Sequence, residues 1–195
     1  MQTFLPYVDE RLVAGVLDDK RLGKQRVEGK QILDLLEGRT LNNWVHHPAV
    51  RMWRGYVPQL KRYVNTMIRE WINRGKNNNM PLYDIDEEEG DWLPGWFNDA
   101  RLIYSHRANL VKKFPEHYGP KWPYVDTNTP YWWPVELKTK SQQKMLDEFW
   151  GLHRCVVSEI IDNELTIILI EDDRNYGTPS WEFSWESSWE IRTYQ

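Results

Sequence analysis

Apolar residues recur at the 3.6-residue helical period in three long stretches, and this periodicity narrows the available folds more than any other feature. In LDDKRLGKQRVEGKQILDLLEG, Leu17 to Gly38, the residues Leu22, Gly29, Ile32, Leu33 and Leu36 fall on one stripe at about 100° per residue. Asp18 or Asp19 is placed to cap this helix and Gly38 to stop it. Pro58 near a first turn, then Leu60, Val64, Met67, Ile68, Trp71 and Ile72, then Gly75 as terminator, mark a second helix. A third runs from about Asn98 to Lys113 with Leu102, Ile103, Leu110 and Val111 inward. The acidic stretch YDIDEEEGDW between the second and third reads as a solvated loop.

From Pro115 to Pro134, prolines at 115, 120, 123, 130 and 134 interleave with Trp122, Tyr124, Tyr131, Trp132 and Trp133. A proline lacks a backbone donor, so this segment excludes regular helix and inner strand and predicts an ordered wrap over the helices. Ser141 to His153 is helical in pattern. The period then changes: Cys155 to Ile161 and Glu164 to Glu171 are β-branched runs about an Asp162-Asn163 turn, and Trp181, Phe183 and Trp185 alternate with polar residues. The expected fold is therefore mainly α. A compact helical domain over 1–144 is followed by 145–195, a helix plus a small acidic antiparallel β appendage.

The 195 residues suffice for one main domain. The longest purely aliphatic run, Ile167 to Ile170, is far below the roughly 18 residues of a membrane span, and no secretory signal is readable. A single cysteine, Cys155, excludes an internal disulfide and Cys-pair zinc sites, so a cytoplasmic protein is expected. The net charge of −4 conceals a pattern: residues 1–76 carry +6, 77–100 carry −7, 101–144 carry +5 and 145–195 carry −8. An anionic ligand fits the first and third blocks without the whole chain being basic. Twelve tryptophans supply faces that pack in a core or stack on bases.

Three clusters carry candidate chemistry. On the first helix Arg21, Lys24 and Glu28 lie within about 60° of one another beside the apolar stripe, where a carboxylate flanked by cations is tuned as an acid or base. The plainer reading is a surface Lys24–Glu28 ion pair. HHPAVRMWRGY gathers His46, His47, Arg51, Trp53, Arg54 and Tyr56, suited to phosphate contact with aromatic insertion. The adjacent histidines diverge on any regular element, so no metal site is expected. SHRANLVKKFPEHYGPKWP adds His106, Arg107, Lys112, Lys113 and His117. No Gly-rich phosphate loop, G-x-S-x-G or H-E-x-x-H occurs in the chain.

The strings MQTFLPY, LDDKRLGKQRVE, HHPAVRMWRGY, SHRANL, PEHYGP and YWWP, in that order, resemble a bacterial and phage family of pyrimidine dimer DNA glycosylases, distant relatives of phage endonuclease V. The resemblance spans roughly Met1 to Val135. It implies a helical DNA-repair enzyme that binds duplex DNA at an ultraviolet photodimer. An α-amino group attacks C1′, the base leaves, an imine forms, and β-elimination nicks the strand as in an AP lyase. The family's helix-borne glutamate corresponds to Glu28, and its phosphate-binding arginines to Arg21 and Arg26. An unperturbed α-amine is roughly 10–15% free base at pH 7, far more than an unperturbed lysine, and is the better nucleophile. Gln2 is too large to permit removal of the initiator methionine, so Met1 is the expected nucleophile, with Lys20 and Lys24 as alternatives. Arg21, Lys24, Arg26, His46, His47, Arg51, Arg54, His106 and Arg107 are the expected DNA contacts. No cofactor is implied. Duplex DNA is the expected partner, at the nucleoid and away from membranes, with a protein partner for the acidic segment. The alternatives are an enzyme modifying altered pyrimidines and a non-catalytic DNA-binding module with an acidic regulatory tail.

Overall fold

The computed structural model describes residues 1–85, 93–135, 140–152, 155–161 and 164–169. These contain seven α-helices, one 3-10 turn and two strands. Helix α1, Glu10–Val16, starts where Asp9 accepts from Arg11 N–H at 2.7 Å. Helix α2, Asp19–Leu36, is capped by Asp18, and the chain leaves it through Gly38 at φ 72°, a left-handed conformation that suits glycine. A 3-10 turn, Asn43–His46, leads into α3, Pro48–Arg51, where His47 caps and Pro48 opens the helix. Helix α4, Val57–Asn73, is followed by Gly75 at φ 70°. Helix α5, Ala100–Lys113, is capped by Asp99. Helices α6, Pro115–Tyr118, and α7, Lys140–Leu152, complete the set.

The three long periodic stretches are thus α2, α4 and α5. The one-turn helices α3 and α6 and the short α1 are too brief to show a period; Asp9 caps α1 and His47 caps α3, whereas α6 has no side-chain cap. Pro115 starts α6 because the first helical position needs no N–H, so the predicted wrap contains one helical turn despite its prolines. The rest of the wrap is ordered: Asp126 N–H donates to Tyr104 Oη at 3.0 Å, and Trp132 N–H to Ser105 Oγ at 3.1 Å. Helix α7 runs through the expected boundary at 144, and its Leu146 and Trp150 belong to the buried core. Strands β1, Cys155–Ile161, and β2, Glu164–Leu169, pair antiparallel with an irregularity between Val157 and Glu159. Much of the expected loop YDIDEEEGDW and the strand expected around Trp181 to Trp185 lie outside the described residues.

Helices α2 and α4 pack closely because small residues of α2 face large ones of α4. A Cβ on Gly29 would run into Val64 Cγ2, and one on Gly23 would sit 3.1 Å from the Trp71 indole. Arg74, just past α4, donates to the Ala14, Gly15 and Leu17 carbonyls at the end of α1. Across this core runs the amino terminus, residues 2–6, extended and buried, with Thr3 and Leu5 at 0% exposure.

Two consequences are measurable. Gly29→Ala is expected to lower stability by about 1–3 kcal/mol in urea unfolding, because Val64 is held by the surrounding core. Glu10 is buried 3.4 Å from Arg62 with Oε1 unpartnered, and desolvation, opposed by the Arg62 charge, raises its carboxyl from 4.5 to about 7. The stability linked to the neutral carboxyl is full below pH 4.5 and lost as pH rises through 7. Glu10→Gln should therefore exceed the parent in stability by about 1–3 kcal/mol at pH 8.5. The difference should close below pH 4.5.

Candidate active site

An extended segment among helices has no neighbouring strand, so its backbone groups must find side chains. Gln2 N–H donates to Glu28 Oε2 at 3.0 Å, Phe4 N–H to Gln25 Oε1 at 2.9 Å, and Leu5 N–H to His106 Nδ1 at 2.8 Å. In return Tyr63 Oη donates to the Phe4 carbonyl at 3.0 Å and Arg107 Nε to the Pro6 carbonyl at 2.9 Å. Trp53 Nε1 donates to Thr3 Oγ1 at 3.0 Å. Helices α2, α4 and α5 all contribute to this cradle.

His106 is fully buried, and desolvation pushes its pKa down to about 3, so the ring is neutral. Because Nδ1 accepts from Leu5, the ring proton sits on Nε2, which lies 3.1 Å from the Gln2 side-chain amide. The amide nitrogen is the atom at that distance and the amide oxygen has no partner, so exchanging the two amide atoms would let the ring donate to the oxygen.

The strand delivers Met1, partly buried, to Glu28: the α-amine is one peptide unit, about 3–4 Å, from the nitrogen that bonds the carboxylate. The Tyr131 ring stands over the site, 5.6 Å from His106 and 5.7 Å from Trp133. Burial first, and the Glu28 charge second, hold its hydroxyl well above the usual phenol range. Trp133 meets His47 edge-on at 5.9 Å. Burial, and then the Met1 ammonium charge, lower the His47 pKa. His47 opens onto a cavity of about 330 Å³ lined by Asn43, Trp44, His46, His47, Pro48, Arg51 and Gln142.

The sequence-predicted cations divide into two sets. Lys24, His46 and Arg54 are exposed, as is the alternative nucleophile Lys20, whereas Arg51 is half-buried at the cavity wall. Arg54 also donates to the Val45 carbonyl at 3.0 Å. Arg21 bonds Asp18 and the Lys113 carbonyl and lies over Phe114. The second set, Arg26, His106 and Arg107, is internal. Arg26 lies over Trp71 at 4.2 Å and bonds Asn78, while Arg107 is held between the Pro6 carbonyl and Tyr124 and against Tyr7 and Trp122. Their charge serves packing and backbone pairing.

Residues 1–84 match the family model described as pyrimidine dimer DNA glycosylase. The match covers less than half of the 195 residues and is a likeness to that family. No curated protein and no solved structure matches the chain. The glycosylase match spans the buried strand, α1 to α4, Glu28 and His47, and stops before α5, which carries His106 and Arg107. The family is one of DNA-repair enzymes. No helix among the described residues is long and apolar enough to cross a membrane.

Gln2, Gln25, Tyr63, Tyr131 and Trp133 are parts of this candidate site that the sequence did not reveal. Gln25 carried a signal: at 100° per residue it falls inside the apolar stripe of α2, where a polar residue needs a buried partner.

Depression of the His106 pKa from 6.5 to about 3 stabilises the fold at pH above 6.5, and this stability is lost as pH falls toward 3. Urea midpoints between pH 7.5 and 4 should fall steeply for the parent. His106→Asn should be weaker at pH 7.5 but decline less.

Proposed function

We propose that the protein excises pyrimidine dimers from duplex DNA with the Met1 α-amine as nucleophile and Glu28 as acid and base. The single observation that carries this reading is the Gln2 N–H to Glu28 bond, which sets a terminal amine beside a half-buried carboxylate at the end of a rigidly paired strand. The amine lone pair bonds C1′ as the N-glycosidic bond breaks, and the electron pair leaves with the pyrimidine, which takes up a proton. Loss of one amine proton and opening of the C1′–O4′ bond, with O4′ protonated, give the protonated imine. Removal of a C2′ proton then expels the 3′ phosphate and nicks the strand, the lyase step. Glu28 is placed to take and return these protons.

Lys20 and Lys24 are exposed on α2. Lys24, Arg21, Arg51, Arg54 and His46 form the phosphate-contacting set in this reading. Arg26, His106 and Arg107 act from inside by holding the strand and its surroundings.

Borohydride reduction on a duplex with one thymine dimer should trap a covalent complex, and peptide mapping should place the adduct on Met1. Glu28→Gln should turn over at least about 10²-fold more slowly. An adduct on Lys20 or Lys24 would move the nucleophile. Folded protein that neither cuts nor crosslinks dimer or abasic duplex would overturn the reading.

A further inference from the structure

The His47 ring is held in one tautomer. Its Nδ1 accepts from Ala49 N–H at 3.1 Å as the N-cap of α3, so the neutral ring carries its proton on Nε2, at the far edge of the imidazole. Among the described residues that Nε2–H meets no protein acceptor, and the residue is half-exposed at the cavity wall. Trp44 at 5.2 Å and Trp133 at 5.9 Å fix the ring plane. Trp133 packs on Tyr131, which lies at Gln2 and Glu28, so the free donor and the amine share one aromatic wall.

We propose that His47 is a further catalytic residue, a neutral hydrogen-bond donor whose Nε2–H binds the carbonyl oxygen of the departing pyrimidine. This rests on the glycosylase reading of the site. When the amine forms its bond to C1′, the glycosidic electron pair passes to the pyrimidine ring and is shared with its carbonyl oxygens. A fixed donor there stabilises the leaving group without itself changing protonation state. A neutral imidazole suits this place, because an imidazolium would repel the ammonium and the iminium that follows. This is a different task from the phosphate contact expected from the sequence, which requires a cation.

Abasic DNA has no base to expel, and this separates the donor role from a structural one. The full-length protein and its His47→Ser variant, which keeps an N-cap acceptor for Ala49, are compared under single turnover. On thymine-dimer duplex the variant should excise the base about 10²-fold more slowly. Its affinity and salt dependence should be unchanged. On abasic duplex its rate of borohydride-trappable imine formation should equal that of the parent. Equal slowing on both duplexes would show that His47 only shapes the site and overturn the proposal, as would unchanged excision. A reduced salt slope of binding would assign His47 to phosphate contact instead. Parent protein inactive on both duplexes would overturn the glycosylase reading itself, and the proposal with it.

Discussion

An extended segment buried among helices must satisfy its backbone polar groups with side chains, and much of the polar interior of this protein follows from that requirement. Each unpaired buried N–H or carbonyl would cost about 1–3 kcal/mol. Residues 2–6 avoid this through Glu28 and Gln25 of α2, Tyr63 of α4, and His106 and Arg107 of α5. Gln25 Oε1 serves twice, accepting from Phe4 N–H and from Tyr63 Oη at 2.7 Å. The strand and the three helices therefore specify one another. Moving any of these helices would orphan a donor or an acceptor inside the core.

This constraint also sets what the sequence could reveal. Helices α2, α4 and α5 were legible because one face of each is apolar at helical spacing, and Gly38 and Gly75 marked their ends by needing positive φ. The wrap from Pro115 onward was legible from its prolines. The buried strand was not. A short extended segment inside a helical protein has no partner strand and no period of its own, and its pairing residues lie up to 104 positions away. The burial of His106 and Arg107 was hidden for the same reason, since a basic residue near the middle of a helix gives no sign whether it faces solvent or another segment of the chain. Glu28 was found through its flanking cations and the family resemblance, whereas its actual neighbour, the Gln2 amide, has no local signature.

The charge pattern is altered by the same packing. The amino-terminal block carries +6, yet Arg26 lies under Trp71, and Arg74 is occupied by Asp19, Glu70 and the α1 carbonyls. In the second basic block Arg107 is internal as well. The cationic surface is thus smaller than the sequence count, although Lys20, Lys24, Arg54, Lys112 and Lys113 remain exposed.

In the proposed reaction, placing the amine on the main chain has a physical advantage over a lysine. A lysine amine is carried on four rotatable bonds and loses up to about 2 kcal/mol of rotamer entropy when fixed. The Met1 amine follows directly from a strand already immobilised by folding, so it is oriented before substrate arrives. Residue 2 then acquires two duties that explain its identity. In the proposed mechanism its bulk retains Met1, while its side-chain amide lies 3.1 Å from His106 and its backbone N–H bonds Glu28. A small residue at that position would remove the side-chain contact with the buried His106. In the proposed reaction the choice of nucleophile and the packing against α5 would therefore both depend on one side chain.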